Sequence, residues 1–220
     1  MAFKLPNGAI FSVENAPGAS KVVSVLTNAA DAVATLPASH GVVVGDVVVL
    51  ASGWAGVDGL GAVVLEVDEN DVTLGGVNTS DVGRYPAGVG IGSLRVVVPA
   101  NMTQLSQVLT VASSGGEQQY RTISPLEQDN DVQLPTNRTP RNMTLTLGDD
   151  PSKAWNATLK AANADQIPRA IVLRLRGGDR IVYVGYISFD GVPTVTKNEE
   201  MTVPVNIALV GTPLRYQAAT

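Results

Sequence analysis

The stretch "DRIVYVGYISFD", residues 179–190, decides how the rest of this 220-residue chain is read. Side chains on a strand alternate between its faces. Ile181, Tyr183, Gly185, Ile187 and Phe189 therefore share one face, and Val182, Val184, Tyr186 and Ser188 the other. Both faces are apolar or aromatic, so such a strand needs cover on both sides. Two arrangements supply it: a helix of the same domain on the second face, or another copy of the chain.

Outward from this segment the chain has a β composition. Runs such as "VVVGDVVVLAS" and "LRVVVPA" are rich in Val and bounded by Gly or Pro, and helix signals are scarce. The 45% hydrophobic fraction and the length suffice for one large or two small domains, each with a core. No cysteine is present, which removes disulfides and thiolate metal sites. No apolar run approaches membrane-spanning length. The opening residues lack a basic segment followed by a long apolar one, so the chain is expected to stay where it is made.

The net charge of −5 is unevenly spread. Residues 1–98 hold four basic and nine acidic groups, and residues 99–220 hold eleven of each. Neither half has the basic excess of a protein that grips nucleic acid. The contrast predicts two units: an N-terminal all-β module over 1–98, able to lend strands to the other unit, and a second domain over 99–220. Strands are expected in "KVVSVLT", "GDVVVLAS", "AVVLEV" and "DVTLGG", the last two joined by a turn at "DEND". Pro99 marks the boundary.

In the second half "LSQVLTV" reads as one strand, with Leu105, Gln107, Leu109 and Val111 on one face. Residues 113–141 are polar, carry three prolines and show no sustained period, which predicts a projecting loop or a loose hairpin. "NMTLTL" is a half-buried strand. A helix is predicted over 150–163, with Asp150 as N-cap, Pro151 at the first helical position, and Trp155, Leu159 and Ala162 as the stripe that anchors it on a sheet. Strands "AIVLRLR" and "MTVPVNIALVG" flank the opening segment. Pro204 cannot donate to a ladder, so the last strand is expected to begin at an edge or with its early residues facing away from a neighbour.

Chemistry is sparse. The only histidine, His40, sits between Pro37 and Gly41 and reads as a turn or surface residue, not a catalytic base or zinc ligand. "GVGIGS" at 88–93 is followed by a strand, whereas a phosphate-binding loop is followed by a helix. The acidic runs "VDENDV", "EQDND" and "GDD" lack the spacing of a calcium loop and read as solvated turns. No catalytic, cofactor-binding or metal-binding residue is assigned, and no enzyme activity is expected.

The order of elements in the second half, and above all "YVGYISFDGVPTVTKNEEMTVPVNIALVGTPLRY" at 183–216, resembles the major tail tube proteins of long-tailed bacteriophages. "MAFKLPNGAIFSV" and "SHGVVVGDVVVLASGWAGVDG" are similar to their N-terminal parts. The resemblance implies a β-sandwich or barrel with one flanking helix, six copies closing into a ring, and rings stacking into a tube in the virion. DNA and a tape-measure protein would pass without specific binding, tail-tip and terminator proteins would join the ends, and assembly would occur in the host cytoplasm, with no membrane involved. It further implies that helix and neighbouring subunit cover the two faces of 179–190, and that the 113–141 arm contacts the next ring or subunit. The contact candidates are Gln118, Tyr120, Arg121, Glu127, Asp129 and Arg138 on the arm, with Tyr183 and Tyr186 on the aromatic strand. The acidic module is expected outside the tube. Alternatives are the tube subunit of a contractile injection or type VI secretion system, and a monomeric β-sandwich binding module.

Overall fold

A computed structural model describes residues 7–218; residues 1–6 of the quoted opening lie outside the described part. The chain is mainly β with one α-helix. The strands are β1 (Ile10–Glu14), β2 (Ser20–Val23), β3 (Val25–Leu26), β4 (Ala32–Thr35), β5 (Val47–Ser52), β6 (Gly61–Asp68), β7 (Asp71–Gly75) and β8 (Gly92–Val97). They continue with β9 (Met102–Leu105), β10 (Val108–Ser114), β11 (Gln118–Ile123), β12 (Val132–Arg138) and β13 (Asn142–Gly148). The helix α1 (Ala154–Asp165) precedes β14 (Arg169–Arg174), β15 (Arg180–Ser188), β16 (Thr202–Leu209) and β17 (Leu214–Tyr216).

Strands β2 to β8 form one sheet in the order β2-β8-β5-β6-β7-β4-β3. Its end strands, β2 and β3, are two halves of a single run broken at Ser24. One half pairs with β8 and the other with β4, so the sheet closes on itself as a small barrel. Ser24 makes the switch, its N–H and its hydroxyl both donating to the carbonyl of Thr35. Small interior residues such as Ala32, Ala34, Val48 and Val72 fill the narrow bore, as a barrel of this size requires.

The larger sheet has the order β10-β13-β16-β15-β14-β1-β9, with β17 also paired to β15. β1 belongs to this sheet, between β14 and β9. Residues 1–98 thus contribute one strand to the larger sheet, and residues 20–97 are an insertion between two strands of that sheet. Phe11 and Val13 of β1 are buried in the core of that sheet, and only its neighbours there complete their cover.

The helix begins at Ala154, with Lys153 as its N-cap. Asp150 does not cap it. Its carboxylate accepts from the N–H and hydroxyl of Ser152, and these bonds, with Lys153 nearby, hold its pKa below the usual carboxylate value. The Asp150–Pro151 signal thus belongs to a turn one step ahead of the helix. At the other end Gln166 takes the left-handed conformation (φ 53°), three residues beyond the expected stop at Asn163. Trp155, Leu159 and Ala162 are buried against the sheet, where Trp155 meets Phe189 edge-to-face at 6.2 Å between centroids.

The two-sided strand is covered within its own chain. On one face Ile187 and Phe189 pack beneath α1. On the other, Val182 and Val184 join Ala170 and Val172 against Val47, Val49, Val63 and Val97 of the barrel. The barrel therefore supplies most of the cover assigned above to a neighbouring subunit. The approach is close: a Cβ on Gly61 would lie 2.6 Å from Val182 Cγ1, so glycine is required there. A buried ion pair, Glu14 with Arg95, clamps the seam, and Glu14 also accepts from the Ala170 N–H at 3.1 Å. The Tyr216 hydroxyl donates to Gly75 O (2.7 Å) and accepts from Val63 N–H (3.1 Å).

Candidate assembly surface

One broad sheet face carries no cover from this chain. In β13 and β16 the odd-numbered residues Met143, Leu145, Leu147, Val203, Val205 and Ile207 point into the core, so the even-numbered ones face away. The register then aligns Thr110, Ala112 and Ser114 of β10 with Thr146, Thr144 and Asn142 of β13, and these with Pro204, Asn206 and Ala208 of β16. Tyr186 and Ser188 of β15 complete the row. Four strands wide, this face bears no charged side chain. Its polar groups bond laterally, Thr110 to Thr146 at 3.0 Å and Thr144 to Asn206 at 3.0 Å. Charges stand at its ends: Arg141 precedes β13, while Asp149, Asp190, Glu199 and Glu200 lie beyond the opposite ends of β13, β15 and β16.

Pro204 sits inside this sheet, paired with Thr146. On the other side of β16, β15 pairs only with Asn206 to Leu209, so the early residues have no neighbour there and the missing N–H is tolerated.

"LSQVLTV" is not one strand. Gln107 adopts φ 61°, and the chain leaves β9 at one edge of the larger sheet to enter β10 at the other. The break puts Val108 on the core side; a register shift between Val108 and Thr110 then sets Val111 on that side too, opposite Leu145, where Val111 and neighbouring Leu109 stay exposed. β10 is thus an edge strand with an uncovered inner side, and a cleft lies on each flank. One is lined by Ala9, Phe11, Leu109, Val111 and Leu173. The other, at the end of β10, is lined by Val111, Arg141, Met143, Tyr183, Leu209 and Pro213.

Residues 113–141 form a hairpin that continues the β10–β13 ribbon. Gly116 N–H donates to Thr139 O and Thr139 N–H to Glu117 O, and β11 then pairs with β12 up to Ile123 and Val132. Gly115 and Gly116 both have positive φ (82° and 80°), where a side chain would be strained. Nearly every residue of the arm is exposed, and Leu126 at its tip is fully so, at 101%. Arg121, Ile123, Val132 and Leu134 share one face of the arm; Tyr120, Thr122, Gln133 and Pro135 share the other.

The arm therefore unites Gln118, Tyr120, Arg121, Glu127, Asp129 and Arg138. Gln118 spans the arm's base by donating to Thr136 O, while Glu127 and Asp129 stand at the tip. Tyr183 and Tyr186 are not together: Tyr183 faces the cleft beside Arg141, where burial pushes its pKa up, and Tyr186 lies on the uncharged face. Sequence reading missed Val111, Leu126 and Arg141. A large apolar residue after Pro125 in an otherwise polar run was the available signal for Leu126.

His40 is buried, not a surface residue: Nδ1 accepts from Val42 N–H and Nε2 donates to Glu69 O, so it ties a turn to the β6–β7 hairpin. Among the described residues no three His, Cys, Asp or Glu side chains converge as metal ligands, and no helix is long and apolar enough to cross a membrane.

Residues 52–218 match the family model for the phage tail tube protein. The chain belongs to the phage tail tube protein family. The tail tube protein is a structural, non-enzymatic constituent of the tail of the virion, and its copies assemble with one another there. The matched span includes β6 to β8 of the inserted barrel, the arm, and the larger sheet except β1. Among solved structures, a chain described as "Virion of native gene transfer agent (GTA) particle" is similar, with a TM-score of 0.40, 9% identity, and coverage of 54% of this tail tube protein and 92% of that chain. No curated protein matches the sequence.

Proposed function

We propose that this tail tube protein is the repeating wall unit of a DNA conduit, six copies to a ring and rings stacked end to end, with the β10-β13-β16-β15 face turned to the lumen. The observation that carries this reading is the absence of charge on the one broad uncovered face. Lysine and arginine contacts with phosphate release counterions and hold DNA, so a wall that must let it pass carries few or none. A face of hydroxyl, amide and small side chains offers neither that grip nor a carboxylate field. Membership of the tail tube family and the open edge at β10 support the homo-oligomer.

In this reading the tape-measure protein occupies the lumen during assembly in the host cytoplasm, and tail-tip and terminator proteins join the two ends. The barrel of residues 20–97 packs further along the same sheet, on Ala170, Val172, Val182 and Val184, and stands at the outer rim, where the acidic excess of the N-terminal part keeps neighbouring tubes apart. Negative-stain electron microscopy of the purified chain over a concentration series tests the conduit. Rings or tubes with a central hole are expected; a particle that stays solid or monomeric, also when tail-tip proteins are added, contradicts it.

A further inference from the structure

The tip of the arm and the cleft at its root are chemical complements, yet one chain cannot bring them together. The cleft combines apolar walls, Val111, Tyr183, Leu209 and Pro213, with the side chain of Arg141. Arg141 forms no ion pair among the described residues. The tip offers Leu126, fully exposed, followed directly by Glu127, with Asp129 and Asp131 beyond and no cation between 122 and 137. An apolar plug with a carboxylate beside it is what such a cleft accepts, since a desolvated arginine gains most from a paired carboxylate.

Hairpin geometry forbids closure within a chain. The hinge, Gly115–Gly116, is at the root itself, and beyond it the two strands are paired. From Gly116 to the end of β11 is seven residues, or about 23 Å at the usual rise. Rotation at the hinge leaves the tip that far from its own cleft.

We propose that Leu126 and Glu127 of one copy seat in the root cleft of a second copy, Leu126 against Val111 and Tyr183, and Glu127 paired with Arg141. This rests on the tube-subunit reading and names the surface that receives the arm. The contact is heterologous: each copy gives a tip and receives another, so it propagates head to tail and fixes the polarity of the stack.

The test uses the full chain, with tube formation followed by sedimentation and electron microscopy, and the fold of each variant by circular dichroism. Glu127→Arg or Arg141→Glu alone is expected to raise the concentration needed for assembly about tenfold or more, and the double swap to return it to within about threefold of the parent. Because the chain has no cysteine, Leu126→Cys and Val111→Cys give a second readout. A chain with both forms oxidised ladders, a mixture of the two single variants forms dimers only, and neither single variant alone crosslinks through this contact. Folded single charge variants that assemble like the parent, a double swap no better than the singles, or no crosslink in assembled tubes would overturn the proposal while leaving the tube reading intact. A parent chain that assembles under no condition overturns both.

Discussion

The inserted barrel and the larger sheet are built from the same material, short Val-rich strands, and end in opposite states. The barrel closes: one run of chain serves as both end strands, its first half paired with β8 and its second with β4. The larger sheet does not. Its edges are β9 and β10, and β10 keeps its apolar inner side exposed beside two clefts. Chain connectivity makes the difference. A partner switch at Ser24 with the backbone still extended closes the barrel, whereas the left-handed turn at Gln107 throws successive strands to opposite edges. On the proposed reading the part with finished pairing covers the sheet from outside, and the part with unfinished pairing is where copies meet.

Substitutions in both halves probe this division, and the two tryptophans allow each half to be followed, Trp54 in the barrel and Trp155 beneath the sheet. The largest effect is expected from Trp155→Ala, which empties the space between helix and sheet and costs about 3–5 kcal/mol in denaturant unfolding. Glu14→Ala follows, at about 3 kcal/mol, because it strands Arg95 and the Ala170 N–H in a buried seam. It is also expected to split a single unfolding transition into two, read separately in Trp155→Phe and Trp54→Phe backgrounds. If both probes still coincide, the ion pair is not what couples the halves. Gly61→Val should cost about 1–3 kcal/mol by pushing the barrel off Val182 and Val184, without altering the barrel's own strands.

Tyr216→Phe is smaller, about 1–2 kcal/mol, since it unpairs the Gly75 carbonyl and the Val63 N–H. The same residue sets a pH signature. Burial pushes the Tyr216 pKa up to about 12, above its ordinary value of 10. Between those values the unfolded chain releases a proton that the folded one keeps, so stability contributed by the neutral phenol is full below pH 10 and falls as pH rises towards 12. Tyr216→Phe should flatten that fall, measured as thermal stability against pH. The least effect on stability, within about 0.5 kcal/mol, is expected from arm substitutions such as Tyr120→Ser and Asp129→Asn. A large loss of fold there would mean that the arm belongs to the closed body after all.

Much of this was legible from period-two patterns. The hairpin around residues 179–190, the strands at 142–148 and 202–209, and the helix anchored by Trp155 follow from alternation and helical spacing alone. What was hidden depends on partners distant in sequence. The place of β1 beside β14 and β9 is invisible in "IFSVE", and the barrel's role as cover for Val182 and Val184 needs the tertiary meeting of two sheets. The helix start was misplaced because an Asp-Pro pair serves a turn as well as a cap. "LSQVLTV" misled because a left-handed residue at Gln107 and a register shift after Val108 interrupt its alternation. On the arm the polar composition left a projecting loop and a loose hairpin both open, since exposed strands with no core to face need not alternate, and the pairing of β11 with β12 decides for the hairpin. The charge-free face was within reach: once the core side of β13 and β16 is set, the identity of every outward residue follows.

The central claim is that the open sheet faces inward and the closed barrel outward, and a cryo-electron microscopy reconstruction of tubes assembled from the full chain tests it most directly. The account predicts Thr144, Asn206 and Tyr186 at the lumen and residues 20–97 on the outer surface. A map with the barrel lining the channel, or with the β10-β13-β16-β15 face turned to solvent outside, would contradict it.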